Sequence, residues 1–145
     1  MKVKGLDNRE HKFSLTSTPR LNASLLHIRA RELLRNLFPY DILNEEVFLP
    51  GTKTAHNKGL YADFYIHSQR LMIEVNGQQH FDYNPYFYDN KLEFAQSKQR
   101  DLKKREWCEL NGIDLVELPY NESDNEWRKH ISCRGRVSKN GEDAG

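Results

Sequence analysis

Apolar positions change period several times along the chain, and each change marks an element. Leu26, Ala30, Leu33, Leu34 and Leu37 recur at helical spacing, with Asn22 or Ser24 placed to cap and Pro39 to terminate. Residues 41–49 set Ile42, Val47 and Leu49 among acidic side chains and read as a strand. Pro50-Gly51 then turns the chain, and the polar residues 52–59 read as a loop. Leu60-Tyr61-Ala62-Asp63-Phe64-Tyr65-Ile66 is rich in aromatic side chains and predicts a second strand. Leu71-Met72-Ile73-Glu74-Val75 predicts a third, apolar on both faces and therefore central. The short connection between these two predicts a hairpin.

Asn76-Gly77 stops that strand, and residues 78–90 read as a loop dense in Tyr, Phe and Asn. Residues 91–110 carry Leu92, Ala95, Leu102 and Trp107 among many charges and read as a helix, with Gly112 as its C-terminal cap. Residues 113–118 predict a last strand, and residues 126–130 one helical turn. The order predicts an α/β fold, a mixed central β-sheet flanked by helices. The 145 residues divide into a basic N-terminal arm (1–22, with one short strand near 12–15), a single domain (23–131) and a flexible basic tail (132–145).

Charge refines this picture only slightly. The net charge is +1, but basic residues gather at the two ends and acidic ones in the middle. An enzyme of nucleic acids has this pattern, and so do ordinary solvated faces. Aromatic residues at 11% exclude a wholly disordered chain. No apolar run reaches bilayer length and the first ten residues lack a signal-peptide core, so the expectation is a cytoplasmic protein with no membrane partner. Cys108 and Cys133 have no metal-type spacing, which fits a reducing compartment.

The candidate chemistry lies in the predicted hairpin. Asp63 is in one strand, and Glu74 is in the next between Ile73 and Val75. A carboxylate in so apolar a strand is costly unless it is paired or metal-bound. Two carboxylates facing each other across a hairpin repel, and a hard cation such as Mg²⁺ or Mn²⁺ relieves that repulsion through oxygen ligands. The bland alternative is a glutamate reaching solvent at a strand end beside an aspartate in a local turn. The strand stops directly after Glu74, however, and Gln78, Gln79 and His80 follow, a histidine placed to serve as base or ligand.

These residues, Ala62-Asp63-Phe64, Ile73-Glu74-Val75-Asn76-Gly77-Gln78-Gln79-His80, and Arg100-Asp101 running to Trp107 and Gly112-Ile113-Asp114-Leu115-Val116, form a pattern. It resembles one branch of the PD-(D/E)XK nuclease superfamily, that of very-short-patch repair endonucleases and phage homing endonucleases. The resemblance spans residues 24–118 and is most specific from Ile73 to His80. It implies a restriction-endonuclease-like core and a metal-dependent DNA endonuclease that leaves a 5′-phosphate. Carried over, Asp63 and Glu74 would hold Mg²⁺ or Mn²⁺, and His80 would be the base or transition-state stabiliser. Glu32 would support metal or water from the first helix. Asp101 would orient His80 or take a second metal.

The sequence departs from the branch pattern at Asn76, where relatives carry Asp and where the superfamily's Glu-x-Lys motif has its lysine. Gln78 is a substitute able to position the attacking water. Lys98, Arg100, Lys103, Lys104 and Arg105 on the later helix are expected to grip phosphates, and Tyr83 and Tyr86 to stack on bases; a solvated face and a sheet cover are the plain alternatives. DNA is thus the expected partner, with a homodimer as a means of cutting both strands. The competing function is a nuclease-fold module that binds DNA without cutting it.

Overall fold

The computed structural model describes residues 1–16, 18–55, 58–77 and 91–134. Two short strands open the chain, β1 (Lys2–Lys4) and β2 (Glu10–Lys12), followed by helix α1 (Leu25–Leu37). Strands β3 (Asn44–Leu49), β4 (Leu60–Ile66) and β5 (Leu71–Asn76) come next, then α2 (Lys91–Leu110), β6 (Asp114–Pro119) and α3 (Asp124–Ser132). The main sheet has the order β3-β4-β5-β6; the first two pairings are antiparallel and β5-β6 is parallel. The expected α/β class and mixed sheet are therefore present. No helix among the described residues is long and apolar enough to cross a membrane.

Each face of the sheet is covered by its own apolar cluster. On one face α2 sends Trp107 and Cys108 against Met72, Tyr65, Ala62 and Leu60. On the other, Ala30, Leu33 and Leu34 of α1 and Trp127 and Ile131 of α3 meet Phe64, Ile66, Leu71 and Ile73. The strands carry apolar residues on both sides because both sides are covered. Both buried indoles find an acceptor, Trp107 Nε1 donating to the Pro50 carbonyl at 2.9 Å and Trp127 Nε1 to that of Pro119 at 2.8 Å.

Local signals explain the helix starts. The Ser24 hydroxyl accepts from the His27 amide, capping α1. Ser123 and Glu126 form a reciprocal capping box, which starts α3 at Asp124 and lets it run nine residues, beyond the single turn expected.

The N-terminal segment differs from the expected arm. It is the β1-β2 hairpin, and its Val3 and the following Phe13 are buried in the α2-side cluster. Asn111 at the end of α2 pairs with both backbone groups of Lys4. Gly5 and Gly51 lie so close that a Cβ on Gly51, whose φ is +81°, would stand 2.4 Å from the Gly5 Cα. The docking of this hairpin therefore depends on glycine there.

Candidate active site

The site begins where β4 and β5 stop pairing. Their ladder runs from Ile66↔Leu71 to Phe64↔Ile73 and ends one residue short of Asp63 and Glu74. On the other side, β3 pairs with β4 at Glu45↔Phe64 and Val47↔Ala62, but not at Glu46 and Asp63 between them. Side-chain alternation also breaks here. Ala62 belongs to the α2-side cluster and Phe64, two residues on, to the α1-side cluster. Glu46 takes a positive φ of 51°, an uncommon conformation for a residue with a long side chain.

The freed backbone groups are taken up by the two carboxylates. The Asp63 amide donates to Glu74 Oε2 at 2.8 Å, and the Val75 amide donates to Asp63 Oδ2 at 2.8 Å. Side chains thus replace ladder bonds at the split, and the predicted facing pair of carboxylates is formed.

Glu74 is 6% exposed. Its Oε1 accepts from Lys104 Nζ of α2 at 2.6 Å. Burial, and then the charge of Asp63, push the Glu74 carboxyl up to about 7; Lys104 offsets this only in part. Burial also opposes the charge on Lys104, but Glu74, Asp63 and Asp101 together outweigh it and its pKa is raised. The imbalance has a simple origin. Lys104 faces three carboxylates, whereas Glu74 faces one cation and a second anion. A further cation at this spot would therefore be welcome.

Beside Asp63 stands Arg20. Its Nη1 is 3.9 Å from Asp63 Oδ1 and 3.3 Å from Glu46 Oε2. Beneath it lies a buried charge network. Glu45 accepts from His27 Nε2 at 2.8 Å, from Arg31 Nε at 2.7 Å and from Arg31 Nη2 at 2.8 Å. The Glu45 carboxyl falls to about 2: burial raises it, but the hydrogen bonds from Arg31, His27 and the Arg20 amide more than reverse that.

The expected site residues divide as follows. Asp63 and Glu74 come together. Asp101 lies on α2 close enough to raise the pKa of both Lys104 and Arg105. Lys104, expected to grip phosphate from an exposed helix face, instead turns inward to Glu74. Arg105 is also diverted, its Nη2 donating to both oxygens of Glu117 at 2.8 Å. Lys98 lies 5.4 Å from the Phe94 ring centre, Arg100 is exposed and Lys103 half-buried.

Glu32 does not join the site. It is exposed in a groove between α1 and α3 with Arg29, Asn36, Asp124 and Arg128, across the sheet from Lys104 and Glu74. His80, Gln78, Tyr83 and Tyr86 lie outside the described residues. Arg20, Glu46 and the Glu45 network had not been anticipated; adjacent glutamates inside a strand, Glu45-Glu46, are the one sequence signal that marks them.

No family model matches the chain. It is 38% identical over 80 residues to uncharacterized protein 307L of Invertebrate iridescent virus 6, across 53% of this chain and 41% of that protein. It is 37% identical over 73 residues to uncharacterized protein 033L of Invertebrate iridescent virus 3, across 50% of this chain and 37% of that protein. With uncharacterized protein 094L of Frog virus 3 it shares 34% identity over 68 residues, 46% of this chain and 44% of that protein. The chain thus spans about two fifths of the length of these relatives. No solved structure matches it.

Proposed function

We propose that this chain is a metal-dependent DNA endonuclease whose active centre is the split between β4 and β5. The observation that carries the reading is the triad at the split: Asp63 and Glu74 side by side with crossed hydrogen bonds, and Lys104 donating to Glu74 at 2.6 Å. A carboxylate pair with one nearby lysine, at the end of a central hairpin, supports phosphodiester hydrolysis better than zinc chemistry, because its donors are hard oxygens rather than the histidine nitrogens and cysteine sulfurs that zinc favours.

The donor set fits a hard cation. All the ligand atoms are carboxylate oxygens, and the raised Glu74 carboxyl marks a place short of positive charge. Asp63 and Glu74 would hold Mg²⁺ or Mn²⁺, which supplies Lewis-acid polarisation of the phosphate and a more acidic water. Lys104 favours the ionised form of Glu74 and holds it in place through one N–H; its remaining N–H groups are of a type that can donate to a phosphate oxygen or an attacking water. It stands in for the lysine missing at Asn76, supplied from α2 rather than from β5. His80, following β5, remains the expected proton carrier.

The test is cleavage of supercoiled plasmid and of mismatched and branched duplexes in Mg²⁺, Mn²⁺ or EDTA, beside Asp63→Ala. Cleavage that needs metal and vanishes in the variant is expected. A second reading, DNA binding without cleavage, is favoured by the fact that both oxygens of Glu74 already have protein donors. Unaltered DNA affinity with no cleavage under any condition would select it.

A further inference from the structure

The split carries three carboxylates, Asp63, Glu74 and the nearby Glu46. A polyanion approaching them meets an excess of negative charge, because Lys104 offsets only one of the three. Arg20 counters that excess. Its side chain is 41% exposed and stands over Asp63 and Glu46. The Asp63 contact, at 3.9 Å, is too long for a hydrogen bond, and the Glu46 contact is exposed at both ends. Pairs of that kind contribute little stability. The guanidinium keeps most of its five N–H donors for another anion.

The backbone of Arg20 is held far more firmly than an exposed arginine requires. Its amide donates to Glu45 Oε1 at 3.1 Å, and its carbonyl accepts from Arg31 Nη2 at 3.0 Å. Both clamps belong to the buried Glu45 network. His27, the third member, stacks on Phe64 with ring centres 4.3 Å apart, and Phe64 directly follows Asp63. The charge network, built from α1 and β3, is thus packed against β4 next to Asp63, and it fixes the backbone of Arg20. Burying a carboxylate with a histidine and an arginine is not needed for stability, which an apolar trio supplies as well. What the network does achieve is position.

We infer that Arg20 binds a DNA phosphate at the β4-β5 split, and that Glu45 is the positioning residue that presents it. The inference rests on the nuclease reading for its substrate, but it is tested by binding as well as by cutting. Duplex affinity would be followed by fluorescence anisotropy in EDTA over a series of salt concentrations, for wild type, Arg20→Gln, Arg20→Lys, Glu45→Gln and Lys129→Gln. Lys129 is exposed on α3, outside the Arg20 and Glu45 contacts, and removes one equal charge as a control.

Arg20→Gln should bind about tenfold more weakly at low salt and lower the slope of log affinity against log salt by about one. Lys129→Gln should match wild type. Arg20→Lys should keep the slope, since the charge remains, yet lower kcat/KM because an ammonium lacks the planar fork. Glu45→Gln, checked for folding by circular dichroism, should behave as Arg20→Gln although Arg20 is intact. An Arg20→Gln slope and affinity equal to those of wild type would overturn the inference, even in a protein that cuts DNA. A reduced slope in a protein that never cuts would sustain it and remove the nuclease reading instead. No duplex binding by wild type would remove both.

Discussion

Replacing Glu74 with Gln tests whether the split is a receptor short of positive charge or a settled ion pair. Glu74 is 6% exposed, and its carboxyl titrates near 7 rather than 4.5, through burial first and the neighbouring Asp63 charge second. A carboxyl whose pKa is higher in the folded state holds its proton more tightly there. Its contribution to stability is complete below pH 4.5 and is lost as pH rises through 7. A rise from 4.5 to about 7 corresponds to about 3 kcal/mol. That is a large share of the 5–15 kcal/mol typical of a domain, so the effect is measurable. Glutamine has nearly the shape of the neutral acid and does not titrate.

Urea unfolding in EDTA, followed by circular dichroism between pH 4.5 and 8, is the assay. Wild type and Glu74→Gln should be closely matched at pH 4.5. By pH 8 wild type should have lost about 3 kcal/mol relative to the variant. Lys104 stays charged through this window because its pKa is raised, so it adds no slope of its own. Millimolar Mg²⁺ should then restore wild type at pH 8 and leave the variant unchanged, since a ligand stabilises only the state that binds it. Parallel stability curves for the two proteins in EDTA would refute the reasoning. They would mean that Lys104 alone satisfies Glu74 and that the split has no unmet demand for a cation.

Three further outcomes are expected. Lys104→Met should abolish plasmid cleavage while leaving duplex affinity nearly unchanged, because the amine is directed at Glu74; a loss of affinity as large as that of Arg100→Ala would show that it grips the backbone instead. Glu32→Gln should cleave as wild type does in the same assay, since Glu32 lies in the α1-α3 groove; loss of activity would return it to the site. Gly51→Ala should lower stability by about 2 kcal/mol or more, seen as a lower thermal midpoint, because the new Cβ meets the Gly5 backbone at 2.4 Å from a left-handed residue.

The parts of this site that were legible in the sequence were those set by local periodicity. Asp63 and Glu74 sit at matching distances from the connection between their strands, so a hairpin had to bring them level. Lys104 was legible in principle but was assigned to the wrong face. Leu92, Ala95, Leu102 and Trp107 suggest one apolar stripe for α2, yet Leu92 and Leu102 are exposed, and the buried residues are Ser97, Trp107 and Cys108. Lys104 lies three residues before Trp107 and four before Cys108, on that buried face. A charged residue in phase with two buried ones was the available signal, and the density of neighbouring cations concealed it. Arg20 and Glu46 are different in kind. No spacing links residue 20 to residue 63, and a positive φ at a glutamate leaves no mark in composition. Their placement follows from tertiary contacts alone, through the Glu45 network that ties the segment before α1 to β3. The chain therefore brings positive charge to its carboxylates from two distant segments, Lys104 to Glu74 and Arg20 to Asp63. Removing either one should fail in its own way, Lys104 in the chemistry and Arg20 in the grip.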